Sequence, residues 1–126
     1  MKDSVEQLTD NIKLQAEAFL LDAGEFYPFG ASISTKGVLR PLSAYSESDN
    51  PPSIELINLL ESYIKRSVLD GKYLIAAIGI DVNIKENDMN IDAIEVRYFE
   101  PERVFKRYYK YQIERGSVKF DLLQTK

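Results

Sequence analysis

The chain of 126 residues contains no histidine, no cysteine and no tryptophan. Each absence removes a chemistry. Without cysteine there is no disulfide framework, which fits a reducing compartment. Without histidine or cysteine, Ser–His and Cys–His nucleophilic catalysis are excluded, and so are imidazole and thiolate metal sites. A metal would have to be held by oxygen alone. The carboxylates in the turn region, Glu86, Asp88 and Asp92, lack the alternating spacing and glycine of a calcium loop. There is no Walker loop and no G-x-G-x-x-G, so neither a metal nor a cofactor is expected. General acid–base work would fall to carboxylates, lysine or tyrosine with displaced pKa values. Long apolar runs are also missing. Leu74–Ile78 is the longest, stopped by Gly79 and far short of a membrane span. The opening MKDSVEQLTD is too polar for the apolar heart of a signal peptide. The expectation is a soluble cytoplasmic protein with a non-enzymatic role.

What is present is a globular balance: 44% hydrophobic and 29% charged residues in a chain long enough for one domain. Val5, Leu8, Ile12, Ala16, Phe19, Leu20 and Ala23 fall on one helical stripe over residues 3–23. Ser4 and Gln7 have capping-box spacing, and Gly24 stands where a helix ends. Phe29, Ala31 and Ile33 alternate with small residues as a strand, Thr35-Lys36-Gly37 turns the chain, and Val38–Ala44 returns. Pro41 cannot donate to a ladder, which places that strand at a sheet edge or breaks it. Residues 46–52 read as a loop, and a second helix runs to Asp70 with Ile57, Leu60, Ile64 and Val68 as its stripe. Leu74, Ala76, Ile78, Ile80, Val82 and Ile84 are apolar at consecutive even positions, and Ala77, Gly79, Asp81, Asn83 and Lys85 on the other parity are small or polar, so one face is expected in the core and the other in water. Strands at 91–99, 103–113 and 118–122 follow. The predicted fold is a single α+β domain spanning residues 1–126. Its antiparallel sheet has five to six strands with two helices on one face, in the order α-β-β-α-β-β-β-β. A profilin-like or roadblock-like arrangement is compatible with that order.

The run Gly24-Glu25-Phe26-Tyr27-Pro28-Phe29-Gly30 concentrates three rings in four positions. As a joint, it would lock the angle between helix and sheet by burying ring surface. As a lip, Tyr27 and Phe29 with Glu25 nearby would line a groove for a ligand or partner segment. This run, with Ala31-Ser32, Lys36-Gly37 and Pro41 after it and Pro51-Pro52-Ser53-Ile54-Glu55-Leu56-Ile57 further on, resembles a family of small bacterial proteins with no assigned biochemical function. Residues 18–60 carry the likeness, and the strands after Gly71 share only the pattern. The resemblance implies a single-domain cytoplasmic protein of bacterial type. Some small acidic α+β proteins of similar appearance serve as immunity proteins to secreted toxins.

Charge is unevenly distributed. Residues 81–102 hold seven acids against two bases, a net of −5, and residues 103–119 hold six bases against one acid, a net of +5. If these neighbours form a hairpin, opposite charges are expected to face across the strands. RVFKRYYKY also has the look of a basic-aromatic nucleic-acid surface. Against that reading, the chain is acidic overall at −4, and only Lys106, Tyr108 and Lys110 are expected to face outward. Glu95, Arg97 and Arg107 share parity with apolar neighbours, so either Glu95 pairs with Arg107 or a register break or bulge turns these charges outward.

Two roles follow. In the first, residues 1–63, with ten acids against four bases, give a negative surface that binds a basic protein, as an immunity or antitoxin-like protein would. Contact or self-association would run through a sheet edge, with neither nucleic acid nor membrane as partner. In the alternative, the chain is a small-ligand module or minor enzyme with a pocket at the Tyr27/Phe29 corner and Glu25, Arg40 or Arg107 as polar anchors.

Overall fold

A computed structural model describes residues 2–44, 46 and 51–123; most of the expected 46–52 loop lies outside the described residues. Helix α1 covers Ser4–Ala23. Its cap falls one residue before the position that the Ser4/Gln7 spacing suggests. The Asp3 carboxylate accepts the Glu6 N–H at 2.8 Å, so the shorter acid takes the orphan donor and Ser4 becomes the first helical residue. Gly24 closes the helix in the left-handed region (φ 77°), its N–H donating to the Leu20 carbonyl at 2.8 Å. There follow β1 (Phe29–Ser34), β2 (Leu39–Ser43), α2 (Ser53–Leu69), β3 (Tyr73–Glu86), β4 (Met89–Phe99), β5 (Val104–Glu114) and β6 (Ser117–Leu123). All six strands join one antiparallel sheet in the order β2-β1-β3-β4-β5-β6. The α+β class and the element order are those read from the periodicities. Pro41 lies on β2, an edge strand, where its missing donor costs no ladder bond.

One expectation is corrected: the helices pack on opposite faces of the sheet. Leu8, Ile12 and Ala16 of α1 bury against Phe29, Ala31, Ile33, Ile75, Ala77, Ile94 and Val96. Ile57, Leu60 and Ile64 of α2 bury against Ala76, Ile78, Ile80 and Phe99. Ile75 and Ala77 alternate with Ala76 and Ile78 along β3, and successive strand side chains point to opposite faces. The small odd positions of β3 therefore mark a close-packed spot. A Cβ added at Gly79 would lie 3.0 Å from both Ile12 Cγ2 and Phe29 Cζ, so the helix rests where the strand offers no side chain. Only toward its end, at Asn83 and Lys85, does β3 show the expected wet face.

The sheet curls around α1. The helix rests on β1 through Phe29 and Ala31, and its Glu17 carboxylate accepts the Val118 N–H of β6 at 2.9 Å. Those strands are four ladder steps apart, about 19 Å in a flat sheet, wider than the roughly 10–12 Å of a helix. The strands must bend toward the helix to be reached from one rod, which gives a curled half-barrel. Leu20, Tyr111 and Val118, with Phe26 and Phe120 against them, fill the resulting seam. Helix α2 covers the outer side of β1, β3 and β4. No helix among the described residues is long and apolar enough to cross a membrane.

Candidate functional site at the aromatic corner

Both readings of the GEFYPFG run have a share in the structure. Phe29 is only 4% exposed and is part of the core under α1. Two rings meet it edge-on, Phe19 at 5.3 Å and Phe26 at 5.4 Å between centroids, an arrangement that aromatic quadrupoles favour. This is the joint. The Phe26 N–H donates to Asp81 Oδ2 at 3.4 Å, and the Tyr111 hydroxyl donates to Asp81 Oδ1 at 2.7 Å, so one half-buried carboxylate ties the corner to β3 and β5. Burial raises the Asp81 carboxyl above its ordinary range, opposed by these two hydrogen bonds and reinforced by Asp92 and Glu25 nearby. The Tyr111 hydroxyl is raised by burial and by the Asp81 carboxylate that accepts its proton.

Tyr27, by contrast, is 51% exposed, and Phe19 is 41% exposed although it falls on the predicted core stripe. Together with Phe26, Pro28 and Phe29 they line an open cavity of about 540 Å³. The chain crosses the end of the sheet here, and the cavity takes Ser43 and Ala44 from the end of β2, and Pro51 and Leu56 from the start of α2. Its size lies in the ordinary range for a ligand pocket, and most of its wall is apolar. Among the described residues, the carboxylates in the lining are Asp22 and Glu25, both exposed, and no lysine or arginine lines it. Neither carboxylate has an ion-pair or hydrogen-bond partner among the described residues.

The structure thus brings together Glu25, Tyr27 and Phe29, and leaves out Arg40 and Arg107. Arg40 is exposed on β2 opposite Ser32, on the α2 side of the sheet. Arg107 is exposed on β5 opposite Val96, on the α1 side, with its guanidinium 5.6 Å from the Tyr98 ring and 5.8 Å from the Phe105 ring. Glu95 projects from the other face, so the expected Glu95–Arg107 pair cannot form. Its partner is Arg97, two residues along the same strand, which also binds Glu61 of α2. The second Glu95 oxygen accepts the Tyr108 hydroxyl at 2.8 Å. Glu95 is 7% exposed, and this network satisfies both of its oxygens.

The expected charge complementarity between β4 and β5 fails at the register. Arg97 stands opposite Lys106, and Glu95 opposite Tyr108. Lys110 finds its opposite charge on β6, across from Asp121. Lys106, Tyr108 and Lys110 do share one face, but the Tyr108 hydroxyl is committed to Glu95 and its ring is half-buried.

Phe19, Asp22, Pro51 and Leu56 are among the lining residues absent from the expected site set. A signal for Asp22 was there: the last turn of α1 carries an acid and no base, the reverse of what the helix dipole favours. Pro51 and Leu56 are brought in by the crossing from β2 to α2, which no local pattern encodes. Compared with known proteins, the chain matches no family model, no curated protein and no solved structure.

Proposed function

We propose that this chain is a non-enzymatic, cytoplasmic interaction module that binds a basic protein partner at the aromatic corner, as an acidic immunity or antitoxin-like protein would. The observation that carries the reading is the ring-lined cavity in which, among the described residues, the lining carboxylates Asp22 and Glu25 are exposed and unpaired. Exposed rings supply contact area at low entropic cost, and unpaired rim charge steers association. The net of −6 over residues 1–63 adds a long-range field of the same sign.

The test is a search for a basic protein among the products of the neighbouring genes that co-purifies with this chain, followed by surface plasmon resonance at two ionic strengths. The on-rate is expected to fall steeply with salt and to drop about tenfold when Asp22 and Glu25 are both reversed to lysine. A basic neighbour that binds with an on-rate indifferent to both changes, or does not bind, refutes the proposal. A second reading, a small-ligand module, is favoured by the cavity volume alone. A rise in melting temperature with a metabolite, abolished by filling the cavity through Ala44→Leu, would select it.

A further inference from the structure

We propose that the corner cavity is a receptor for the side chain of an arginine presented by the partner, an inference that rests on the reading of this chain as a binder of basic protein. Three features converge on one organic cation. First, the ionisable acids in the wall among the described residues are Asp22 and Glu25, with no described base to compensate them, so an anionic group would be repelled. Second, the site is the C-terminal end of a 20-residue helix, where the macrodipole presents partial negative charge. Helices place lysine, arginine or histidine there, yet the last turn of α1 has no base and bears Asp22. Gly24 caps the Leu20 carbonyl through its backbone, and no cationic side chain among the described residues does so. A cation supplied from outside would relieve three like-signed contributions at once. Third, much of the remaining wall is aromatic. Phe19, Phe26 and Tyr27 bring ring surface to it; a ring face attracts a cation, and the hydrocarbon around it shelters the stem that carries the charge.

A metal ion fits poorly, because hard cations require six or more oxygen ligands and this wall is mostly hydrocarbon. Between the two basic side chains, the geometry favours arginine. Its guanidinium is planar and weakly hydrated, stacks on rings, and bridges carboxylates with paired N–H groups, whereas an ammonium gives up a strong hydration shell. The cavity is larger than one side chain needs, so residues flanking the arginine would enter with it and meet Pro28, Pro51 and Leu56.

The experiment uses the full chain, labelled with ¹⁵N, titrated at low salt with N-acetyl-arginine N′-methylamide. Its lysine and citrulline counterparts serve as controls, citrulline keeping the shape without the charge. Saturable amide shifts confined to residues 19–29 and 43–44 are expected with arginine, in the millimolar range of a single anchor, several-fold weaker with lysine and absent with citrulline. The Asp22→Asn/Glu25→Gln variant should abolish the arginine response while keeping the dispersed spectrum of a folded chain, and Asp10→Asn should leave it unchanged. Absence of a saturable response to arginine, or an equal response to lysine or citrulline, overturns the assignment. Should the arginine probe fail while the neighbouring basic protein still binds with a salt-steep on-rate, the anchor is wrong and the interaction reading survives. Loss of that salt-steep binding would remove the interaction reading itself.

Discussion

Replacing Ile12 and Ile64 with valine, singly and together, tests whether the helices occupy opposite sides of the sheet. Both side chains are 0% exposed, Ile12 in the cluster under α1 and Ile64 in the cluster under α2. Removing one methylene from a buried isoleucine costs about 0.5–1.5 kcal/mol. The double variant should lose about 1–3 kcal/mol, tolerable for a domain of ordinary stability, roughly 5–15 kcal/mol. The two clusters share no residue, and the sheet separates them by more than a side-chain layer. Independent sites add to within about 0.5 kcal/mol. Urea unfolding followed by circular dichroism gives all four corners of the cycle. Additivity is the expected result. A coupling energy of about 1 kcal/mol or more would mean that the two isoleucines pack against common neighbours, as one-sided helices would, and the placement of the helices on opposite faces would fall.

Other perturbations follow from single contacts. Gly79→Ala inserts a methyl 3.0 Å from Ile12 Cγ2 and Phe29 Cζ, and should cost about 1–3 kcal/mol by overpacking, read from the urea midpoint. Arg97→Ala strands Glu95 and should cost about 3 kcal/mol, whereas Arg107→Ala, which gives up only exposed ring contacts, should cost less than about 1 kcal/mol; equal losses would put the Glu95 partner in doubt. The Tyr98 and Tyr111 hydroxyls are raised by burial above the ordinary 10.0 that they regain on unfolding. Above about pH 10 the unfolded chain releases protons that the folded chain keeps, so stability present below that pH is lost as pH rises. Tyr111→Phe should make the fall of stability above pH 10 shallower, with Tyr73, Tyr98 and Tyr108 keeping their share of it; an unchanged slope would show that the Asp81 contact does not hold that proton.

How far the sequence disclosed this architecture can be followed residue by residue. Helix and strand periods, the Gly24 stop and the Pro41 edge were legible because each is a local consequence of backbone geometry. The sidedness of the helices was not. Ala77 and Gly79 read as a wet face because they are small, and small residues also mark the closest approach of a helix. Pattern alone does not distinguish the two. Register was equally hidden: charge blocks of opposite sign around 81–102 and 103–119 suggested cross-strand pairing, but the turn geometry set Arg97 against Lys106. At the site, Glu25, Tyr27 and Phe29 were found through their density along the chain. Pro51 and Leu56 arrive from a distant element, and Phe19 was assigned to the core by a stripe that runs past the edge of the sheet.

The unfolding free energy of Asp22→Asn bears most directly on the claim that the corner is built for a cation from outside. Asp22 lies in the last turn of α1, with no base in that turn and no partner among the described residues. A carboxylate there opposes the helix dipole, so its neutralisation should stabilise the free protein by about 0.3–1 kcal/mol. That gain should shrink as salt is added. A loss of stability on the same substitution would show that Asp22 serves the fold, and the case for a cation receptor would go with it.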